Sequence, residues 1–224
     1  MVGFRPGVAR RDGTPALRSG GAEGNERLTA MTGAVLLILL LVECYTILSI
    51  GRLITLHVFL GMLLLGPVTL KATSVIYRFA RYYTGSAPYK RKGPPALLLR
   101  LLGPVIVLLT ATVFGSGIML AVTGPNYGPP TGWLEIHRLS FIAWACVMII
   151  HVLAYAWRLP RLLAREARGV ADPEGETGVR DGARRAVELL SGRGIRLGLL
   201  VASLLCGLVI ALLTVHLAGP WQGA

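Results

Sequence analysis

Five long apolar runs dominate the sequence, and the stretches between them are polar or rich in glycine and proline. The runs lie at roughly 28–50, 53–77, 100–123, 133–157 and 195–217. Each is long enough for an α-helix to cross the hydrocarbon core of a bilayer, which takes about 20 apolar residues. Apolar residues make up 54% and charged residues 15% of the 224-residue chain. The pattern therefore predicts an all-α fold, a polytopic transmembrane helical bundle with five spans.

Basic residues are distributed unevenly over the connections between these runs. Most of the 23 Lys and Arg lie before the first run, between the second and third, or between the fourth and fifth. The positive-inside rule then predicts a cytoplasmic N-terminus and an external C-terminus in a bacterial plasma membrane. Anionic headgroups of the lipid bilayer account for the net charge of +12. We expect no nucleic-acid partner, because no stretch interleaves aromatic and basic residues.

Composition divides the chain into four segments. Residues 1–27 mix Gly, Arg and Pro and are predicted to be a disordered basic cytoplasmic tail. Residues 28–158 form a four-helix membrane core, 159–194 a cytoplasmic charged loop, and 195–217 the fifth transmembrane helix. Within the loop, residues 180–190 are interpreted as a short surface helix or as disordered. Neither soluble segment buries an enzyme-sized core, so we expect a membrane subunit rather than a stand-alone enzyme.

Ionisable side chains at membrane depth are costly, so they tend to face the bundle interior and to mark function. The second and fourth runs each carry two such residues at the same separation of 14, namely His57 with Lys71 and His137 with His151. Fourteen residues are four helical turns, or about 21 Å of rise, so each pair lies on one helix face.

The depth of each residue can be compared by counting back from the arginines that close the two runs, Arg78 and Arg158. His57 and His137 each lie 21 residues before the closing arginine, and Lys71 and His151 each lie 7 before it. The counts predict an outer level with His57 opposite His137, and an inner level with Lys71 opposite His151.

Two imidazoles that face each other at one depth are the axial ligands that a six-coordinate haem iron needs. Arg138, next to His137, is interpreted as a partner of a haem propionate or as a residue that snorkels to headgroups. His216 in the fifth run also lies near the outer face. It either replaces one partner of the outer pair or lies at the wet interface.

Three interpretations of the inner level remain open. Lys71 is an axial ligand if its amine is neutral, which burial favours. Alternatively, Lys71 and His151 form a polar site for a propionate, a quinone oxygen or a proton path. In the third interpretation Lys71 snorkels inward and His151 is a hydrogen-bonded packing residue.

The stretches LHVFLGMLLLGPVTLKATSVIYRFARYYTG (56–85) and WLEIHRLSFIAWACVMIIHVLAY (133–155) resemble small bacterial cytochrome-b-like integral membrane proteins. The resemblance implies a four-helix haem b core and transmembrane electron transfer. By the same resemblance, His57, His137 and His151 correspond to metal-ligand positions, whereas Lys71 stands where a fourth histidine is expected. It implies one haem b or two, and exchange of electrons with a quinone or a redox partner subunit in a homo- or hetero-oligomer.

Two other functional classes fit the same residues. In a small transporter or metal-handling protein, His57, His137 and His151 bind a transition-metal ion directly. In a structural or assembly protein the histidines hold no cofactor. Glu43, in the first run, is expected to pair with Arg52 or Arg138 or to carry a proton near the outer face. The three cysteines show no paired spacing and are expected to be small core residues.

Overall fold

The computed structural model describes residues 22–91, 97–125, 132–155, 160, 164 and 179–222. These residues are almost entirely helical, and they contain no β-strand. The helices are α1 (Ala22–Ile47), α2 (Ile50–Tyr83), α3 (Ala87–Arg91), α4 (Leu97–Thr123), α5 (Trp133–Tyr155) and α6 (Val179–Thr214), followed by a 3-10 helix (Val215–Trp221).

Five of the described helices, α1, α2, α4, α5 and α6, are long and apolar enough to cross a membrane. Large apolar side chains cover their outer surfaces; examples are Leu48, Leu108 and Leu213, each more than 60% exposed. Such a surface suits lipid rather than water. The prediction of an all-α, multi-pass membrane bundle is confirmed.

The three cysteines, Cys44, Cys146 and Cys206, are exposed and form no disulfide. The expectation that they are core residues is wrong. Lipid is as apolar as the interior of the bundle, so a small apolar residue gains little by facing another helix.

Two helices begin earlier than the apolar pattern predicts. Helix α1 begins at Ala22, so the predicted tail is helical from 22 to 27. Asn25 holds this first turn in place, because its side-chain amide donates to the carbonyl of Ser74 in α2. Helix α6 begins at Val179, so 179–194 is part of the helix that continues into the fifth span, and not a loop. Good helix formers without proline explain this extension. Residues 1–21 and 165–178 lie outside the described part.

The helices associate in two groups. Helix α2 packs lengthwise against α1 and α6, whereas α4 packs lengthwise against α5. Among the described residues, the α4–α5 hairpin meets the other helices more lightly, where α2 and the 3-10 helix approach α4. This arrangement places α2 and α5 on opposite sides of the boundary between the groups.

Helices α2 and α6 cross with their backbones in direct contact. A Cβ added to Gly66 would fall onto the carbonyl of Ser203, and one added to Gly207 would fall onto the carbonyl of Leu63. The Leu63 carbonyl is the one that Pro67 leaves without an intrahelical amide donor, since proline has no N–H. The crossing therefore fixes α6 firmly against α2.

The C-terminal 3-10 helix ties the two groups together at the end of the bundle where α2 begins. The indole N–H of Trp221 donates to the carbonyl of Leu120 in α4 at 3.3 Å. The amide of Gln222 donates to the hydroxyl of Thr55 in α2 at 2.7 Å. A small apolar cluster beneath this segment contains the buried residues Met62, Ala121 and Ala211.

Candidate cofactor site

The structure brings His57 of α2 and His137 of α5 together across the boundary between the two groups. Their ring centroids are 6.4 Å apart, and the ring planes are nearly perpendicular, at 84°. Both residues are largely buried, and 21% of the His57 side chain is exposed. The pair that the residue counts predict to share one depth is therefore a close pair in space. We refer to it as the His57 level.

The separation of the two rings matches that of two imidazoles bound to one metal ion. A metal–imidazole bond is about 2.0–2.1 Å long and the nitrogen lies about 1.2 Å from the ring centroid, so two rings on opposite sides of one ion have centroids about 6.5 Å apart. The observed 6.4 Å is close to this value. Two axial nitrogens are what an iron needs when a porphyrin supplies the other four.

The His57 ring is oriented by helix α1. Its Nδ1 lies 2.9 Å from the Thr46 hydroxyl oxygen and 3.0 Å from Oε1 of Glu43. The Thr46 hydroxyl donates its own hydrogen to the carbonyl of Glu43, at 2.6 Å. It therefore accepts from Nδ1, which must carry a hydrogen. Nε2 of His57 is then the nitrogen with a free lone pair.

The His137 ring is oriented by helix α4. Its Nδ1 lies 3.1 Å from the Val113 carbonyl oxygen and 3.1 Å from the Ser116 hydroxyl. A carbonyl can only accept, so Nδ1 of His137 also carries a hydrogen and Nε2 has the free lone pair. Gly117 leaves room for the ring, since a Cβ there would lie 3.1 Å from Cε1 of His137.

Both histidines thus have the hydrogen-bonding pattern of metal ligands. A ligating histidine usually donates its second N–H to a carboxylate or a backbone carbonyl, which fixes the tautomer and the ring orientation. Glu43 supplies the carboxylate for His57, and Val113 supplies the carbonyl for His137. Glu43 pairs with His57 rather than with Arg52 or Arg138 among the described residues.

A second polar level lies four turns along the same helix faces. The Lys71 amine donates to the carbonyl of Thr29 in α1 at 2.6 Å, and it packs where Gly33 has no Cβ. Lys71 also interacts electrostatically with His151 of α5. The structure brings the predicted inner pair near each other, with the Lys71 amine hydrogen-bonded to α1. We refer to this pair as the Lys71 level.

Helix α1 contributes to both levels, which the sequence-based prediction missed. Thr29 and Glu43 are 14 residues apart, the same separation as in α2 and α5. In an antiparallel helical hairpin, residues with this spacing meet the partner helix at matching heights. The repeated separation of 14 in the first run was the available sequence evidence for this role.

The other predicted site residues lie apart from the histidine pair. Arg138 and His216 are exposed. The two glycines near the pair face different surroundings: Gly117 packs on His137, whereas a Cβ at Gly115 would meet nothing within 4 Å. Two residues along a helix correspond to a rotation of about 200°, so the two glycines lie on opposite faces of α4.

Among the residues that the structure describes, no group of three or more histidine, cysteine, aspartate or glutamate side chains gathers in one place. The histidine pair is instead a two-ligand arrangement with separate hydrogen-bond partners for each ring. Comparisons of the chain with protein-family models, with curated proteins and with solved structures find no match.

Proposed function

We propose that the protein is a b-type cytochrome that transfers electrons in the membrane, with one haem b held between His57 and His137. The observation that carries the proposal is the 6.4 Å separation of the two imidazole rings. The hydrogen bonds of both rings support it, because each uses Nδ1 and leaves Nε2 to bind iron. Bound haem supplies one-electron chemistry, and the protein supplies ligation and orientation.

The residues around the pair have separate tasks in this proposal. His57 and His137 provide one axial nitrogen each, from two helices that belong to different groups. Thr46 and Glu43 hold the His57 ring against α1, whereas Val113 holds the His137 ring against α4. Because each ring is fixed by its own neighbouring helix, the axial geometry is established before the cofactor binds.

The Lys71 level supports one haem rather than two. The amine of Lys71 already donates to the Thr29 carbonyl, at 2.6 Å. An axial lysine would have to give up this hydrogen bond and lose its proton. We assign Lys71 and His151 instead to a polar site for an oxygen atom of a quinone or for a proton path.

The cellular setting belongs to the same proposal. The uneven distribution of Lys and Arg supports a bacterial plasma-membrane location with the N-terminus in the cytoplasm and the His57 level near the outer face. A one-electron carrier at that depth needs a donor and an acceptor. A quinone or a redox partner subunit fits both requirements.

The proposal is tested by absorbance spectroscopy of the purified protein and of three single variants. Reduced-minus-oxidised spectra of the wild type are expected to show haem b bands. His57→Gly and His137→Gly should lose the bands, and added imidazole should restore them by filling the vacated ligand position. His216→Ala, which changes an exposed histidine, should keep them. A colourless wild-type protein from haem-replete cells would contradict the proposal.

A further inference from the structure

The two imidazoles of the His57 level have unequal hydrogen-bond partners. His57 faces a carboxylate, since Oε1 of Glu43 lies 3.0 Å from its Nδ1. His137 faces only neutral oxygens, those of Val113 and Ser116. From this difference we infer that Glu43 is a positioning residue that acts through His57 and lowers the reduction potential of the iron bound there. The inference rests on the proposed function.

Glu43 is built into the bundle for this contact. Only 13% of its side chain is exposed. Its second oxygen, Oε2, is buried and has no hydrogen-bond partner in the part of the chain that the structure describes. The fully buried Thr46 braces the same turn of α1, because its hydroxyl donates to the Glu43 carbonyl and accepts from His57. His57 is thus the group towards which the carboxylate is directed.

The expected effect follows from the chemistry of a hydrogen-bonded ligand. A carboxylate that accepts the Nδ1 hydrogen makes the imidazole more basic, so Nε2 donates more electron density to the metal. The oxidised iron carries one more positive charge than the reduced iron and gains more from this donation. Since a site inside the membrane is of low dielectric constant, the difference is weakly screened.

A purely structural role for Glu43 makes a different prediction. If the carboxyl group only held α1 against α2, its replacement would lower stability without shifting the balance between oxidised and reduced iron. The reduction potential therefore separates the two roles, whereas stability or haem content alone would not.

The experiment is a spectroscopic redox titration of the purified protein in detergent. Glu43→Gln keeps the size of the side chain and replaces the carboxylate by a neutral amide. It is expected to favour the reduced form about tenfold more than the wild type does, which is a rise of about 59 mV for one electron. Ser116→Ala removes a neutral partner of His137 and serves as the matched control. Its shift should be well below that of Glu43→Gln.

Each outcome bears on one claim. A Glu43→Gln protein that binds haem with the wild-type potential would overturn the inference and leave the proposed function intact. A Glu43→Gln protein that loses haem while Glu43→Asp retains it at the wild-type potential would also overturn the inference, because Glu43 would then matter for haem retention alone. A wild-type protein without haem would instead refute the proposed function on which the inference rests.

Discussion

Replacement of Gly207 by alanine tests the direct contact between α2 and α6. A Cβ at this position would collide with the carbonyl oxygen of Leu63 and lie 3.0 Å from its carbonyl carbon. Both are backbone atoms, so no side-chain rotation can relieve the overlap, and the helices must separate. Gly198 on the same helix offers a matched control, since a Cβ there would meet nothing within 4 Å.

The comparison of the two variants isolates the cost of separating the helices. Each replacement gains the same intrinsic helix propensity, about 1 kcal/mol in water, and this gain cancels in the difference. What remains is the overpacking term, typically about 1–3 kcal/mol when the surroundings are close-packed. Because the blocking atoms are backbone, we expect Gly207→Ala to be less stable than Gly198→Ala by at least 1 kcal/mol, taking about the lower end of that range.

The assay is reversible unfolding in mixed detergent micelles with increasing sodium dodecyl sulfate, followed by tryptophan fluorescence. The free energies of unfolding of the two variants are compared under identical conditions. Equal stabilities, within about 0.5 kcal/mol, would refute the backbone contact at the crossing, since surface-like substitutions differ by no more than this.

Two further predictions concern the candidate site. Gly117→Val should lower haem content, because its Cβ would press on the His137 ring at 3.1 Å, whereas Gly115→Val should leave haem content unchanged; a pyridine haemochrome assay on both proteins measures the difference, and equal contents would contradict the packing argument. Lys71→His should raise haem content from one to two per chain, because it gives α2 a second imidazole opposite His151 at the spacing of the first pair; a content that stays at one would show that the two levels are not equivalent.

Sequence patterns predicted the spans and the histidine pair because both depend on helical periodicity alone. Each span needs only a long apolar run, and His57 and His137 share a depth because each lies 21 residues before a closing arginine. Helix geometry turns such counts directly into heights. The same counts brought Lys71 and His151 to one level, where the structure has them interact.

The contributions of α1 and α6 depended on helix pairing, which periodicity does not specify. Glu43 was expected to meet an arginine, but it meets His57 because the tight turn at Leu48 and Ser49 sets the register of α1 against α2. The close approach of α6 likewise required knowing which helix faces Gly207. Ser203, Gly207 and Ala211 recur at every fourth position, a spacing of small residues typical of close helix contacts in membranes.

The most direct test of the central claim is the low-temperature electron paramagnetic resonance spectrum of the oxidised wild-type protein. Two axial imidazoles held at the observed 84° give a low-spin iron with a strongly anisotropic signal, unlike that of parallel rings. Our account predicts this signal, and its loss in His57→Gly. A high-spin signal, or a protein without haem iron, would contradict the claim that His57 and His137 bind haem together.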